Sequence, residues 1–368
     1  MSAAVDVEGT AAVVQLTLPS SSVADITQKL HDATEATPIA LRHRCLFSLR
    51  NMATDIAFPV LAQTLDSEPR SQLLRHEVAY ALGQMRSEKA SAMLREVATN
   101  PNEHAMVRHE AAEALGAIAD TSEETTQTLQ ALVKSPEAPR ELRETAALAI
   151  RRMNKRKAEA LTESANAAAP SPYLSVDPAD PLDPSTSTET LEQTLLGGDD
   201  DGGISADANA EDVANDLERR YGAIFALRDR GSDDCARVLC RSLVGDVRNP
   251  SALLRHEVAY VLGQMENAEA TDTLVACLSD DDEHVMVRHE AAEALGAVAA
   301  SNSTCRDVAR SALERFRSSA ETTADAVDAL IVRESCEVAL DLLAREERGE
   351  FEYVYIPDTK RSVSGKRE

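Results

Sequence analysis

Apolar positions recur at helical spacing through most of this chain. Between Leu74 and Met85, the residues Leu74, Val78, Ala81, Leu82 and Met85 form one stripe, the mark of a helix with one face in a core. Such helices come in pairs: 22–33 with 38–52, 55–66 with 71–85, 88–99 with 104–119, and 123–134 with 137–153. Pro38, Pro69, Pro101, Pro136 and Pro250 fall between helices or at a first turn, where the missing N–H does no harm. The period is near 33 residues, and stretches of the first half return 180 positions later. That predicts an all-α protein, an α-solenoid of eight helix pairs in two pseudo-symmetric halves, each pair burying its apolar face on its neighbours.

Composition divides the chain further. Residues 1–20 are expected to be a flexible segment, 21–160 and 217–345 the two helical halves, and 346–368 a charged tail. Residues 161–216 hold 13 acidic side chains, five prolines, the run Gly197–Gly203 and no Lys or Arg. They are expected to be a largely disordered linker that lets the halves face one another. The net charge of -25 argues against a nucleic-acid partner, whose phosphates call for Lys and Arg. It suits a basic or cationic partner. Aromatic residues are 3% of the chain, favouring helices packed through small side chains. The six cysteines form no CxxC pair and read as thiols of a reducing compartment. No apolar run approaches membrane-spanning length. A soluble, cytoplasmic monomer is the expectation.

Four His-Glu dipeptides carry the candidate chemistry: His76-Glu77, His109-Glu110, His256-Glu257 and His289-Glu290. They hold half of the eight histidines. The surrounding stretches match their copies at 11 of 12 positions (from Leu74 and Leu254) and at 13 of 14 (from Met106 and Met286). The outer repeats keep the helical pattern and lose the dipeptide: Arg44 stands where Glu77 would, and Glu144-Thr145 and Glu334-Ser335 follow the third pattern of their halves. The fold therefore does not require the dipeptide. Two neighbouring helices would bring two imidazoles and two carboxylates to one concave patch, and two halves would assemble four of each. That set suits two octahedral-type metals, iron or manganese, and lacks the thiolate of a structural zinc. The HExxH pattern of zincins and the ExxH of ferritin-like bundles are both absent. The bland reading is a duplicated repeat whose His and Glu are surface and cap residues.

In this combination, the motifs RHEVAYxLGQM and VRHEAAEALGA resemble those of the deoxyhypusine hydroxylases, a family of HEAT repeats in two groups of four joined by a flexible linker. The likeness covers the chain apart from its ends and the acidic segment. It implies eight HEAT-like pairs and an O2-dependent di-iron monooxygenase with two Fe(2+) per chain and an external reductant. It also implies action on the deoxyhypusine side chain of eukaryotic translation initiation factor 5A. By motif, His76, His109 and Glu110 would hold one iron, and His256, His289 and Glu290 the other. Glu77 and Glu257 would ligate as well or accept hydrogen bonds from the substrate's cationic amines. The competing readings are a non-enzymatic HEAT scaffold and a bilin-lyase-like HEAT protein.

Other positions read less sharply. Tyr80, Tyr260, Glu113 and Glu293 stand one turn after the motif histidines, placed to orient them or merely to pack. Gly83, Gly116, Gly263 and Gly296 are expected to permit close helix contact. His104 and His284 suit loop or cap roles, and His31 and His43 structural ones. With ligands supplied by both halves, metal is expected to hold together an otherwise polar interface.

Overall fold

The computed structural model describes residues 23–161, 173–197, 210–245, 249–318 and 326–350, apart from the single positions 33, 35, 53 and 174. The expectations for 1–20 and for most of the tail lie outside these residues. The first half comprises α1 (Val23–His31), α2 (Ile39–Arg50), α3 (Thr54–Ser67), α4 (Gln72–Gln84), α5 (Ser91–Thr99), α6 (Ala105–Ile118), α7 (Glu123–Lys134) and α8 (Arg140–Leu161). The second comprises α9 (Thr188–Leu196), α10 (Ala210–Arg230), α11 (Asp233–Leu243), α12 (Ala252–Met265), α13 (Thr271–Ser279), α14 (Val285–Ser301), α15 (Arg306–Ser318) and α16 (Ala326–Arg348). Odd-numbered helices lie outside and even-numbered ones inside. No described helix is long and apolar enough to cross a membrane.

Each inner helix packs on the next, α2 on α4 and so on to α8, and α10 on α12 and so on to α16. The glycines of the repeat set the spacing. A Cβ on Gly83 would lie 2.7 Å from Ala114 Cα, and one on Gly296 2.7 Å from Ala339 Cβ. The arginine before each motif histidine pins its helix start. Arg75 pairs with Glu103 and Arg255 with Glu283, while Arg108 and Arg288 donate to the Ala98 and Leu278 carbonyls. All six cysteines are buried, as small core residues should be.

The halves also pack on each other, α8 on α10 and α16 on α2, so the eight inner helices close into a ring. The two seams differ. At α8–α10, Met106 and Leu148 join the apolar core of the second half. At α16–α2 the ties are polar: Arg44 Nε to Asp341 Oδ2 at 3.2 Å, and His104 Nε2 to Asp328 Oδ1 at 3.1 Å. Polar ties occur at the first seam too, Arg151 pairing with Glu218 and His284 Nε2 lying 3.7 Å from Glu141 Oε1, and one serine–glutamate tie is built alike at both. Ser71 and Ser251, the N-caps of α4 and α12, accept from Leu74 and Leu254 N–H and donate at 2.6 Å to Glu334 and Glu144 of the opposite half. The interface expected to depend on metal thus has an apolar seam and two serine–glutamate links of its own.

The acidic segment differs from its expectation as well. It carries α9, which is the outer helix of the fifth pair, and the first residues of α10. Ser187 caps α9, Leu191 and Leu195 are fully buried, and Gly197 ends the helix at φ 77°. Two leucines at i and i+4 with both caps are enough to fix a short outer helix, whatever the surrounding charge.

The close approach at Gly83 gives a test of the stacking. Gly83→Val should destabilise the protein by about 1–3 kcal/mol through overpacking, measured by urea unfolding followed by circular dichroism. Unchanged stability would contradict the helix spacing.

Candidate metal centre

In α4, α6, α12 and α14 the motif histidine is in every case the fifth residue. Neighbouring inner helices therefore raise their histidines to the same level, and ring closure brings the two levels together. His76, His109, His256 and His289 are 3%, 0%, 7% and 0% exposed. Their ring centroids lie 6.1 Å apart for His76–His109, 5.5 Å for His256–His289 and 5.0 Å for His76–His289.

Within this group the structure forms two matching triads. Glu110 Oε2 lies 3.3 Å from His76 Nε2 and 3.7 Å from His109 Nε2. Glu290 Oε2 lies 3.3 Å from His256 Nε2 and 3.8 Å from His289 Nε2. Donors on one metal at bonds of about 2 Å stand about 3–4 Å apart. The three ligand atoms of the first triad all lie within 4.8 Å of one another, as do ligand atoms of His76, His256 and His289, so the cluster has the dimensions of a metal centre. The Nε2 atoms of all four histidines are buried without a hydrogen-bond partner, an arrangement that costs free energy unless something binds there. Paired imidazoles and a carboxylate, with no thiolate, fit a hard or borderline divalent metal such as ferrous iron.

Burial, and then the charge of neighbouring histidines, hold His109 and His289 well below the usual imidazole pKa, leaving them neutral and ready to ligate. His76 goes the other way: burial opposes its charge, but Glu110 and Glu77 raise it well above the usual value. Burial and nearby carboxylates push Glu257 and Glu293 well up, and Glu113 to about 8. Carboxylates gathered in excess make a site that seeks cations.

The remaining motif residues and their neighbours find distinct places. Glu77 Oε1 lies 3.1 Å from His76 Nδ1 and orients that ring, whereas His256 Nδ1 has no such partner. Glu257 is buried near Glu113 and Asp177. Tyr80 and Tyr260 hydrogen-bond each other at 2.9 Å, one turn beyond the histidines, tying α4 to α12. His104 and His284 are N-caps, their Nδ1 atoms accepting from Met106 and Met286 N–H at 3.3 Å.

Sequence reasoning missed three contributors. His43, read as structural, lies 3.8 Å from Glu77 and 3.9 Å from Glu293; its register with His76 was the available signal. Thr145, from a repeat that lost the dipeptide, lies 3.0 Å from His109 Nδ1, and this contact gave no sequence signal. A strap from the acidic segment reaches the site's edge. Val176 N–H donates to Gln84 at 2.8 Å, and Asp177 pairs at 2.7 Å with Arg228, which also stacks on Tyr173. Beside the triads lies a cavity of about 470 Å³, walled by residues of α2, α4, α6, α12, α14, α16 and the strap.

The carboxylate excess sets a pH test on chelated protein. Glu113 keeps its proton to about pH 8 in the native state against the usual 4.5. Its contribution to stability is therefore full at low pH and is lost as pH rises through that window. Glu113→Gln should gain on the parent across the window, by at most about 1.4 kcal/mol per pH unit. A stability difference that does not change with pH, in urea unfolding with chelator, would contradict the clustering.

Comparison with known proteins agrees with the geometry. The HEAT repeats family model matches residues 27–116, 212–296 and 246–341, and the PBS lyase HEAT-like repeat model matches 107–135. Deoxyhypusine hydroxylase-B of Oryza sativa subsp. japonica is 41% identical over 216 residues, 58% of this chain and 60% of that protein. Deoxyhypusine hydroxylase of Homo sapiens is 39% identical over 213 residues, 58% of each chain. These alignments thus span about three fifths of the curated relatives' length. The solved structure of human deoxyhypusine hydroxylase in complex with glycerol has TM-score 0.69 at 38% identity, over 88% of this chain and 96% of that one. A likeness that follows both halves of a solved relative almost end to end, with HEAT repeats over more than half of the sequence, means that this chain belongs to the deoxyhypusine hydroxylase family.

Proposed function

We propose that this chain is an iron-dependent monooxygenase that hydroxylates the deoxyhypusine side chain of eukaryotic translation initiation factor 5A, completing hypusine. The observation that supports this most is the pair of matching triads, each setting one carboxylate oxygen 3.3–3.8 Å from two imidazole nitrogens. His76, His109 and Glu110 would hold one ferrous ion, and His256, His289 and Glu290 the other. When bound, the ions supply what side chains lack, the means to activate O2 for insertion into an unactivated C–H bond.

The chain's own residues do the rest. One C–H bond becomes C–OH and the second oxygen leaves as water, so two electrons and two protons must come from an external reductant. Near-complete burial of the four histidines keeps bulk water from the reacting carbon. Glu77 orients His76 and, with Glu257, offers carboxylate oxygens to the cationic amines of the substrate. The Tyr80–Tyr260 hydrogen bond fixes the spacing of α4 and α12, and so of the triads. The protein would work as a cytoplasmic monomer, without nucleic acid or membrane.

Turnover of deoxyhypusine-bearing initiation factor 5A, measured alongside iron content, tests the reading. His76→Ala, His109→Ala, His256→Ala and His289→Ala should each cut hydroxylation by a hundredfold or more and lower bound iron. Full turnover in any of them, or no hydroxylation by the iron-loaded parent, would refute it.

A further inference from the structure

The two halves repeat so closely that a symmetric centre would be open on both sides, and it is not. On one side α2 and α16 flank the cavity of about 470 Å³, with His43, Arg44, Val338 and Asp341 in its wall. Solvent reaches this rim: the Asp341, Arg44 and Glu293 side chains are 27%, 19% and 20% exposed. Just inside, His43 Nε2 has no hydrogen-bond partner and stands 3.8 Å from Glu77 Oε2 and 3.9 Å from Glu293 Oε2. Such distances leave both carboxylates able to accept from an added donor.

On the other side the same repeat positions are filled. Tyr221 occupies the place of His43 and is 0% exposed. Gly222 occupies the place of Arg44, and the strap uses the gap: Leu182 N–H donates to Gly222 O at 2.9 Å. A Cβ on Gly222 would lie 3.0 Å from Asp180 O and 3.1 Å from Leu182. Val176 and Pro178 lie beside Glu113, the counterpart of Glu293, so on this side the strap itself walls the cavity that α2 and α16 flank on the other. Between the strap and α8 only about 10 Å³ is left, no more than roughly one water needs. Ala117 is 8% exposed, while its counterpart Ala297 is less deeply buried, in the cavity wall.

We propose that the cationic side chain of the substrate protein enters this centre from one side only, between α2 and α16, where Glu293 and Asp341 join Glu77 in receiving its amines. The strap seals the counterpart mouth. The inference rests on the proposed hydroxylase reading and adds an entry path and two binding residues to it. A polyamine tail is long and flexible, so carboxylates in series along one path hold it at several points, each a charge-assisted hydrogen bond.

The test is calorimetric titration of iron-loaded, anaerobic protein with a synthetic peptide carrying deoxyhypusine, with iron content checked in every sample. Val338→Trp, which fills the entrance, and Glu293→Gln should each weaken binding at least tenfold. Asp180→Asn, which removes a strap carboxylate that does not line the cavity, should stay within threefold of the parent. If Val338→Trp does not fold by circular dichroism, the comparison of Glu293→Gln with Asp180→Asn decides alone. Equal losses from those two, or undiminished binding in both Val338→Trp and Glu293→Gln, would overturn one-sided entry and leave the hydroxylase reading intact. A parent that binds no peptide at all would overturn both.

Discussion

Everything in this molecule depends on closing two curved stacks of helices into one ring. A helix can present one histidine at its fifth position, and its neighbour can present another at the same height. A single stack can do no more than line these up along its concave face. Four imidazoles, each with its ring centroid within about 6 Å of at least two others, require a second stack held opposite. The seams supply that hold, one through apolar packing around Leu148 and the other through polar ties such as Arg44–Asp341. The serine caps of α4 and α12 link both demands, since each starts a ligand-bearing helix and bonds to a glutamate of the other half. Losing such a glutamate would loosen a helix cap and a seam together, a coupling that separate stabilising contacts would not give.

The centre is then a deliberate accumulation of unfavourable features. Four buried imidazoles lack a partner at Nε2, and at least three carboxylates are held well above their usual pKa by burial and mutual repulsion. In a metal-free state these features oppose folding, and cations relieve them, so binding at the centre and closure of the ring reinforce one another. The seams mean that closure does not rest on metal alone.

Much of this was legible in the sequence, for reasons that can be traced to particular residues. The helical period showed the inner helices, and the four His-Glu dipeptides marked the residues that ring closure brings together. The cap roles of His104 and His284 followed from their position five residues ahead of a motif histidine. What stayed hidden depended on contacts far apart in the chain. Glu144 and Glu334 looked like repeats that had lost their dipeptide, yet each accepts a hydrogen bond from a capping serine of the opposite half. His43 lost its glutamate partner to Arg44 and so read as filler, though ring closure sets it beside Glu77 and Glu293. The α9 helix was obscured by acidic composition, since two leucines and two caps carry little weight among 13 acidic residues. The break in symmetry was hardest to read, because Tyr221 and Gly222 gain meaning only once the strap lies against them.

The central claim, that two matching triads hold two irons, is tested most directly by anomalous diffraction at the iron edge from crystals of the iron-loaded protein. Two anomalous peaks are predicted. One should lie within bonding distance of His76 Nε2, His109 Nε2 and a Glu110 oxygen, the other of His256 Nε2, His289 Nε2 and a Glu290 oxygen. A single peak, peaks elsewhere, or no iron signal at the four histidines would contradict the account.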